Sequence, residues 1–463
     1  MFAKEVYIKR RKELASGIKS GVLLFLGNSE VGINYFDNTY RFRQDSSFLY
    51  FFGLDEPDLA AVIDVESGEE IIFGNDVTID DIIWMGPQPA MKDKGAEVGI
   101  KNIKPLGELE SYIAKAKGAG RKIHFLPPYR YHNQIQLNKL LGVDFEKQKE
   151  LASVELIKGV VALREIKDEH EVAELDKAAN IGYIMHYTAM KMAAVGMVEQ
   201  ELVGLMEGIA VSGGSMPSFP IILSQNGETL HNHTHHQILT NGRLLVIDAG
   251  AETNSHYASD FTRTIPAGGK FTQKQRDIYS IVSAANDLAV SLIKPGITYK
   301  SVHLAAVRLM AQGLINLGLM KGDADEAVAA GAVGLFMPHG LGHQMGLDVH
   351  DMEDLGENYV GYDSEHTRAT QFGLKSLRMG KLLRPGHVIT VEPGCYFIPA
   401  LIEKWKKEGT NASFINFDKL KDYYTFGGIR IEDDSLVTEK GNRLLGSKRL
   451  PNTPETVEAE MAK

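Results

Sequence analysis

The most informative stretch of this chain is Met337-Pro-His-Gly-Leu-Gly-His-Gln-Met-Gly-Leu-Asp-Val-His-Asp351. It brings His339, His343 and His350 close together in sequence and separates them by glycines. Glycine lets the backbone approach a ligand closely, and imidazole serves both as a metal ligand and as an acid or base near neutral pH. A glycine-rich turn with surface histidines fits the same stretch, so the prediction of a binding site depends on carboxylates elsewhere.

Acidic residues follow several short apolar stretches that read as buried strands. Leu244-Leu-Val-Ile-Asp248 ends in an acid, Asp260 comes twelve positions later, and Val388-Ile-Thr-Val-Glu392 repeats the pattern. Glu432 closes the stretch Gly427-Gly-Ile-Arg430-Ile-Glu432. Any one of these acids could simply lie in a turn. Together with one histidine they suit two divalent ions, because carboxylates can bridge metals, and such a pair indicates hydrolysis.

Composition narrows the class of protein. A length of 463 residues predicts about two or three domains, and 44% hydrophobic with 24% charged residues is typical of a globular protein. The net charge of -10 argues against a nucleic-acid partner. The single cysteine, Cys395, excludes an intrachain disulfide and a thiolate zinc cluster, and we expect it to be buried.

The cellular location is predicted from what the sequence does not contain. The N-terminal residues lack the apolar core of a signal peptide. No stretch reaches the roughly 18 to 20 apolar residues of a membrane span. We therefore expect a cytoplasmic protein without a membrane partner.

The first 150 or so residues predict a compact α/β domain. Residues 7–17 have helical spacing, 21–27 contain a buried strand, and 60–65 with 70–73 form a hairpin. The aromatic-rich residues 40–54 predict an amphipathic helix that buries its rings, in preference to a ligand site. No group of reactive side chains is predicted in this part.

A long charged helix is predicted from residue 163 to 192, with a domain boundary near residue 155. A second helix follows and ends at Gly213-Gly214. The tract Leu230-His-Asn-His-Thr-His-His236 reads as a strand, which would place His231, His233 and His235 on one face. The tract could be a metal site by itself, but a partly exposed strand with one functional histidine is preferred.

Five motifs in order resemble the pita-bread metallopeptidases, the family of methionine aminopeptidase, aminopeptidase P and prolidase. They are Ile247-Asp248-Ala-Gly250, Ser259-Asp260-Phe-Thr262-Arg-Thr264, His339-Gly-Leu-Gly-His343, Thr390-Val-Glu392-Pro-Gly394 and Arg430-Ile-Glu432-Asp433. Phe42-Arg-Gln-Asp-Ser-Ser-Phe and Gly53-Leu-Asp-Glu-Pro57 resemble the leading domain of aminopeptidase P and prolidase. The resemblance implies an α/β (α+β) fold with an N-terminal domain over 1–155, a pita-bread catalytic domain over 156–450 and a tail over 451–463.

The resemblance also implies the metal ligands. Asp248 would chelate one ion, His343 and Glu392 the other, and Asp260 with Glu432 would bridge them. Manganese is the usual ion in this branch, and cobalt, iron and zinc stay open.

Substrate roles follow from the same resemblance. His231 and His350 would flank the scissile bond, and His339 would line the proline pocket or shuttle a proton. Glu392 would relay a proton to the leaving nitrogen of proline. Arg430 would hold the bridging carboxylates, with Thr262 and Thr390 as further supports.

Aminopeptidase P and prolidase both cleave before a proline in second position, and prolidase must also bind a free carboxylate. Arg378, in Ser376-Leu-Arg378-Met, resembles the prolidase arginine with that role, although it could equally be a solvated charge. The expected substrates are small Xaa-Pro peptides, dipeptides included. A non-catalytic pita-bread module and a metal-free creatinase-like hydrolase are the alternatives. We expect a homodimer packed through the leading domain.

Overall fold

The structure, a computed structural model, describes residues 1–462 and divides into two compact units. The first unit comprises Met1–Arg164 and Met352–Tyr359, and the second comprises Glu165–Asp351 and the chain from Val360 onward. The first unit therefore includes the whole helix that begins at Val154.

The first unit contains one mixed sheet surrounded by helices. Its strands are β1 (Val22–Leu26), β2 (Ala60–Asp64), β3 (Glu70–Phe73), β4 (Asn102–Lys104) and β5 (Ile123–His124). Its helices are α1 (Lys4–Ser16), α2 (Ser46–Phe52), α3 (Ile79–Met85), α4 (Met91–Glu97), α5 (Leu109–Gly118), α6 (Tyr131–Leu141), α7 (Gln148–Leu151) and α8 (Val154–Arg164). The strand order is β4-β3-β2-β1-β5, antiparallel in the middle and parallel at both outer pairs.

The second unit packs helices against antiparallel strands. Its strands are β6 (Ile222–Ser224), β7 (Leu244–Ala249), β8 (Phe261–Pro266), β9 (Val388–Val391), β10 (Gly394–Tyr396), β11 (Gly428–Arg430), β12 (Asp433–Val437) and β13 (Asn442–Leu444). The larger helices are α9 (Glu169–Met192), α10 (Glu199–Gly213), α11 (Gln273–Leu292) and α12 (Tyr299–Asn316). The shorter ones are α13 (Ala324–Ala329), α14 (Glu357–Val360), which starts in the first unit, α15 (Pro399–Glu408), α16 (Phe417–Leu420) and α17 (Pro454–Met461).

Short 3-10 turns complete the secondary structure. They lie at Leu106–Glu108, Phe145–Lys147, Ala332–Leu335, Glu353–Leu355, Leu374–Ser376 and Lys421–Tyr423.

The aromatic-rich residues 40–54 form a helix only over α2, Ser46–Phe52, which is shorter than predicted and is buried on all sides instead of being amphipathic. All seven of its residues are buried. Asp45 caps the helix by accepting a hydrogen bond from the Phe48 backbone N–H at 2.9 Å. Gly53 ends it with φ +64°, a left-handed conformation that glycine adopts at little cost. The aromatic rings therefore serve the core of the first unit.

Antiparallel pairings bring the acidic motifs together. Strands β6, β7 and β8 form one sheet, and β13, β12 and β9 form another. An isolated bridge between Thr262 and Glu432 joins the two sheets, and a second one pairs Gln344 with Ile389. The core behind them is built from residues such as Ile247, Ile265 and Ile389, all fully buried. The acidic residues are therefore attached to paired strands that pack on a fully buried core.

The predicted helix over residues 163–192 is interrupted. Helix α8 ends at Arg164 and α9 begins at Glu169. Asp168 accepts hydrogen bonds from the backbone N–H groups of His170 and Glu171, so it begins a new helix with its own cap. The prediction of one continuous helix was wrong because Asp168 lies in a run of charged residues, where a capping residue is hard to distinguish from the other charged side chains.

The histidine tract at 230–236 is not a strand. It is a turn followed by irregular backbone, and its histidines do not share a face: His235 is buried, whereas His231 and His233 are exposed. The Asn232 side chain accepts from the Thr234 backbone N–H at 3.0 Å and donates to Ser224 at 2.9 Å. Such local side-chain bonds compete with strand formation, which explains the wrong prediction.

Within residues 1–462, no helix is both long enough and apolar enough to cross a membrane. Cys395 is buried and unpaired, as expected.

Candidate metal centre

Three buried residues from different parts of the second unit converge on one point. Asp260, His343 and Glu432 each offer a ligand atom, and these atoms lie within 4.8 Å of one another. The Nε2 atom of His343 is 3.5 Å from Asp260 Oδ2 and 3.8 Å from Glu392 Oε1. Asp260 directly precedes β8 and Glu392 directly follows β9, so strand ends place both acids.

Several carboxylate oxygens of this region have no hydrogen-bond partner. Asp248 Oδ1, Asp260 Oδ1 and Glu432 Oε1 are buried and have no hydrogen-bond partner. Burial and the neighbouring negative charges raise the pKa of both Asp260 and Glu432 well above the usual range. Burial, together with the Asp248 charge, raises the pKa of Glu392 to about 8. Since unpaired buried charge is costly, the cluster fits a divalent cation, which prefers such oxygen ligands.

Arg430 links two of the acids through hydrogen bonds, one direct and one by way of Thr262. Its Nη2 donates to Asp248 Oδ2 at 2.5 Å, and its Nε donates to Thr262 Oγ1 at 3.1 Å. Thr262 Oγ1 in turn donates to Glu432 Oε2 at 2.7 Å. The arginine and the threonine therefore fix the directions in which two carboxylates present their remaining oxygens.

The orientation of His343 is set by its backbone surroundings. Its Nδ1 lies 3.0 Å from the Gln344 carbonyl oxygen, which favours a proton on Nδ1 and leaves Nε2 free to ligate. Its backbone N–H donates to Thr390 Oγ1 at 3.1 Å. Gly342 passes so close to β9 that an added Cβ would meet the Thr390 carbonyl oxygen at 2.1 Å. Only glycine fits there.

Two further predicted histidines border the cluster. His339 Nδ1 is 3.7 Å from Glu392 Oε2, and burial lowers the pKa of His339 to about 3, so the ring is neutral. The rings of His343 and His350 lie 4.2 Å apart between centroids.

His231 and Arg378 are within electrostatic range of the centre. Partial desolvation of the ring and then the Arg430 charge lower the pKa of His231, while the charge of Asp248 raises it. The charge of Arg378 acts to lower the pKa of Glu392. The ten residues predicted for the site thus lie in one region of the second unit.

Tyr396 is the member of this region that sequence reasoning missed. Its hydroxyl accepts from Arg430 Nη1 at 2.8 Å and lies 3.0 Å from His339 Nε2. The ladder between β10 and β11 places it, through the pairing of Tyr396 with Gly428. A single tyrosine shortly after Glu392 gives no periodic or spacing signal, so only the three-dimensional pairing reveals it.

Buried carboxylates at the ends of antiparallel strands, with one histidine beside them, suit a metal-dependent hydrolase. Comparisons with known proteins give the family. Residues 173–439 match metallopeptidase family M24, and residues 7–124 match the aminopeptidase P N-terminal domain. The chain belongs to metallopeptidase family M24.

Named relatives span nearly the whole chain. It is 32% identical over 456 residues to the Xaa-Pro dipeptidase of Homo sapiens, covering 96% of this chain and 90% of that protein. It is 30% identical over 457 residues to a probable Xaa-Pro aminopeptidase of Metarhizium acridum, covering 93% and 88%. A variant of Escherichia coli aminopeptidase P in complex with substrate superposes with a TM-score of 0.81 at 29% identity, covering 99% of this chain and 98% of that one.

These matches confirm the predicted family and its Xaa-Pro aminopeptidase and dipeptidase branch. They also confirm the predicted fold class, an aminopeptidase P-type N-terminal domain followed by a pita-bread domain. The chain is an enzyme, a metallopeptidase.

Proposed function

We propose that this metallopeptidase hydrolyses the bond between an N-terminal residue and a following proline, with dipeptides among its substrates. The observation that carries the proposal is the buried Asp260, His343 and Glu432 cluster in a chain of this family. The names of the relatives, Xaa-Pro dipeptidase and Xaa-Pro aminopeptidase, support the proline specificity.

Five side chains would hold two divalent ions, with manganese as the proposed metal. They are Asp248, Asp260, His343, Glu392 and Glu432. The unpartnered carboxylate oxygens support this assignment, because each needs a cation in a buried setting. When bound, the ions supply positive charge to polarise the scissile carbonyl and to make water a nucleophile at neutral pH.

Glu392 is the proposed proton carrier. It accepts a proton from the attacking water and delivers it to the leaving nitrogen. That nitrogen belongs to proline and carries no hydrogen in the peptide, so it needs one proton to leave as an amine, and Glu392 would pass on the proton that the attacking water gives up. Glu392 keeps 19% of its side chain exposed beside the buried acids, and this access supports the role.

Histidines surround the reacting carbonyl in this proposal. His231 and His350 flank the scissile bond and donate hydrogen bonds as negative charge develops on the carbonyl oxygen. His339 lines the proline pocket, and its neutral ring, in contact with the Tyr396 hydroxyl, presents little charge to an apolar substrate ring. Arg430 holds Asp248 in place.

Arg378 is the proposed partner of the free carboxylate of a dipeptide. Its charge acts on Glu392, and this proximity to the centre supports the proposal. An arginine there favours a ligand that ends in a carboxylate over one that continues as a peptide.

A homodimer in the cytoplasm is the proposed physiological form. Helix α3 has no buried residue, and Trp84 and Ile79 are 86% and 72% exposed. An exposed apolar helix of this kind is typical of a surface that another chain covers. Sedimentation should give a dimer that Trp84→Ser weakens, and a monomer at every concentration would contradict the proposal.

Peptide hydrolysis on metal-stripped protein with manganese added back tests the substrate assignment. We expect cleavage of Ala-Pro and a large rise in KM for Ala-Pro when Arg378 is replaced by Met. The matched control is Arg368→Met, an exposed arginine of the same segment, which should leave KM unchanged. Cleavage of Ala-Pro-Ala but not Ala-Pro would contradict the dipeptidase activity, and cleavage of neither peptide would contradict the function as a whole.

A further inference from the structure

A buried ion pair lies beside the candidate centre and has no part in the proposed chemistry. Lys167 Nζ is 2.6 Å from Asp351 Oδ2, and each side chain is only 1% exposed. Burying two charges is costly, so such a pair is weak evidence for stability by itself. Pairs of this kind can instead fix one arrangement of the backbone.

The carboxylate of Asp351 closes the loop that links two site histidines. Its Oδ1 accepts from the Asp348 backbone N–H at 3.3 Å, and the Asp351 backbone N–H donates to the Gln344 carbonyl oxygen at 2.9 Å. The loop therefore returns to its start, between His343 at one end and His350 at the other. The direction of His350 depends on this closure, because it directly precedes Asp351.

The pair also presses against the middle of the loop. A Cβ added at Gly346 would lie 2.6 Å from Asp351 Oδ2 and 2.9 Å from Lys167 Cε. The Gly346 backbone N–H donates to the Asp348 carbonyl oxygen at 3.0 Å. Backbone and ion pair are thus packed without space for the loop to shift.

The backbone of Lys167 is hydrogen-bonded to the segment that connects to strand β12. Its backbone N–H donates to the Gly386 carbonyl oxygen at 2.9 Å, and Gly386 in turn donates to Val437 at 2.9 Å, the last residue of β12. The Met345 N–H donates to the Val388 carbonyl oxygen at 3.0 Å, on the strand that leads to Glu392. The ammonium group therefore has a fixed place relative to that strand.

We propose that Lys167 and Asp351 form a positioning pair that sets the direction of His350 relative to His343 and Glu392. This inference rests on the proposed function, since it gives His350 a substrate role. Neither residue of the pair touches the reacting atoms in this proposal; both act through the loop.

Kinetics in two backgrounds test the pair. Lys167→Met should lower kcat for Ala-Pro about 10-fold or more with little change in KM, because loss of supporting bonds at such centres costs that much. In a His350→Ala background the same change should cost less than about 2-fold, because residues that act as a unit are not additive. Equal losses in both backgrounds would overturn the proposal.

A readout that does not need activity separates this inference from the proposed function. In metal-free protein with 13C-labelled histidine, the ring signal of His350, assigned with His350→Gln, should shift or broaden in Lys167→Met. The control is Lys381→Met, which removes another buried lysine, one that pairs with Glu165 at 2.5 Å, and should leave that signal in place. An unchanged His350 signal in Lys167→Met would overturn the positioning role even in an active enzyme. A changed signal in a chain that cleaves no Xaa-Pro peptide would contradict the function but support the positioning.

The double variant Lys167→Met with Asp351→Leu covers the case in which the single variant does not fold. It removes both charges and so avoids an unpaired buried ion. We expect it to fold with a displaced His350 signal and reduced kcat. Full activity in this variant would show that the pair is only structural.

Discussion

At the scale of single residues, the charges of the metal centre oppose one another in the absence of metal. Asp260 and Glu432 are buried, and each carries an oxygen without a partner. Burial and neighbouring carboxylates disfavour their charged forms. The site is therefore built for a ligand at some cost to the stability of the free chain.

Replacement of Glu432 by Gln should separate the cost of the buried carboxylate in the metal-free protein from its contribution to metal binding. The metal-free variant should melt about 2 °C or more above the metal-free wild type, because folding no longer has to bury a repelling charge or take up a proton at this position. The rise in Tm that metal gives the wild type should largely disappear, since a ligand is lost. Thermal melts with and without manganese measure both quantities.

Asp433→Asn is the matched control for that experiment. Asp433 is also buried, but its carboxylate is paired with Arg263 at 2.5 Å. Although burial acts to raise its pKa, the charge of Arg263 holds it below the usual range. Its replacement should lower Tm with and without metal. A lower Tm for metal-free Glu432→Gln would contradict the repulsion argument.

At the scale of structural elements, sequence patterns predict strands with acids at their ends more reliably than they predict irregular segments. Asp248 and Glu392 lie at the ends of β7 and β9 because apolar β-prone runs have few alternatives. The prediction of a strand over the tract that contains His231 was wrong because Asn232 forms local side-chain hydrogen bonds. An alternating pattern of residues does not reveal such bonds. Tyr396 and the Lys167 and Asp351 pair were not found, because each depends on partners distant in sequence.

The loop before β9 has a requirement for glycine that can be tested. Gly342→Ala would place a Cβ 2.1 Å from the Thr390 carbonyl oxygen. Because backbone on both sides must move, we expect a loss of about 2 kcal/mol or more of unfolding free energy, and weaker metal binding through His343. Denaturant unfolding and metal titration measure the two effects.

Gly204→Ala serves as the control in that comparison. Gly204 lies within α10, and an added Cβ there meets nothing within 4 Å. Alanine is the better helix former, so stability should rise by up to about 1 kcal/mol. If Gly342→Ala were as stable as the wild type, the close approach would not constrain the loop.

At the scale of the whole molecule, the start of the second unit is anchored by a buried cluster of charges. Glu165 pairs with Lys381 at 2.5 Å and also with Arg384. Burial acts to raise the pKa of Glu165, but the neighbouring His387 and the ammonium group of Lys381 prevail and lower it to about 2. The ordinary value is 4.5, so the folded state holds this carboxylate ionised where the unfolded chain would protonate it.

The cluster should therefore contribute to acid stability. Its contribution is complete above about pH 5 and is lost as the pH falls towards 2, on the order of 3 kcal/mol. Glu165→Gln should lower stability at pH 7 and make the loss between pH 5 and 2 shallower, as denaturant unfolding at several pH values would measure. Asp325→Asn removes only an exposed pair with Arg308 and should leave stability at pH 7 nearly unchanged. An acid slope in Glu165→Gln as steep as that of the wild type would rule out this anchor.

The family and the order of the two domains follow from motifs spread over the chain, and the comparisons agree with them. The sequence patterns do not give side-chain directions around the centre, since these depend on packing between strands remote in sequence.

Hydrolysis of Ala-Pro and of Ala-Ala by the same protein, stripped of metal and then titrated with manganese, tests the central claim most directly. We predict that Ala-Pro is cleaved only as metal is added and that Ala-Ala is not cleaved at any metal concentration. Equal cleavage of the two dipeptides, cleavage of Ala-Pro without metal, or no cleavage with metal bound would each contradict a metal-dependent Xaa-Pro peptidase.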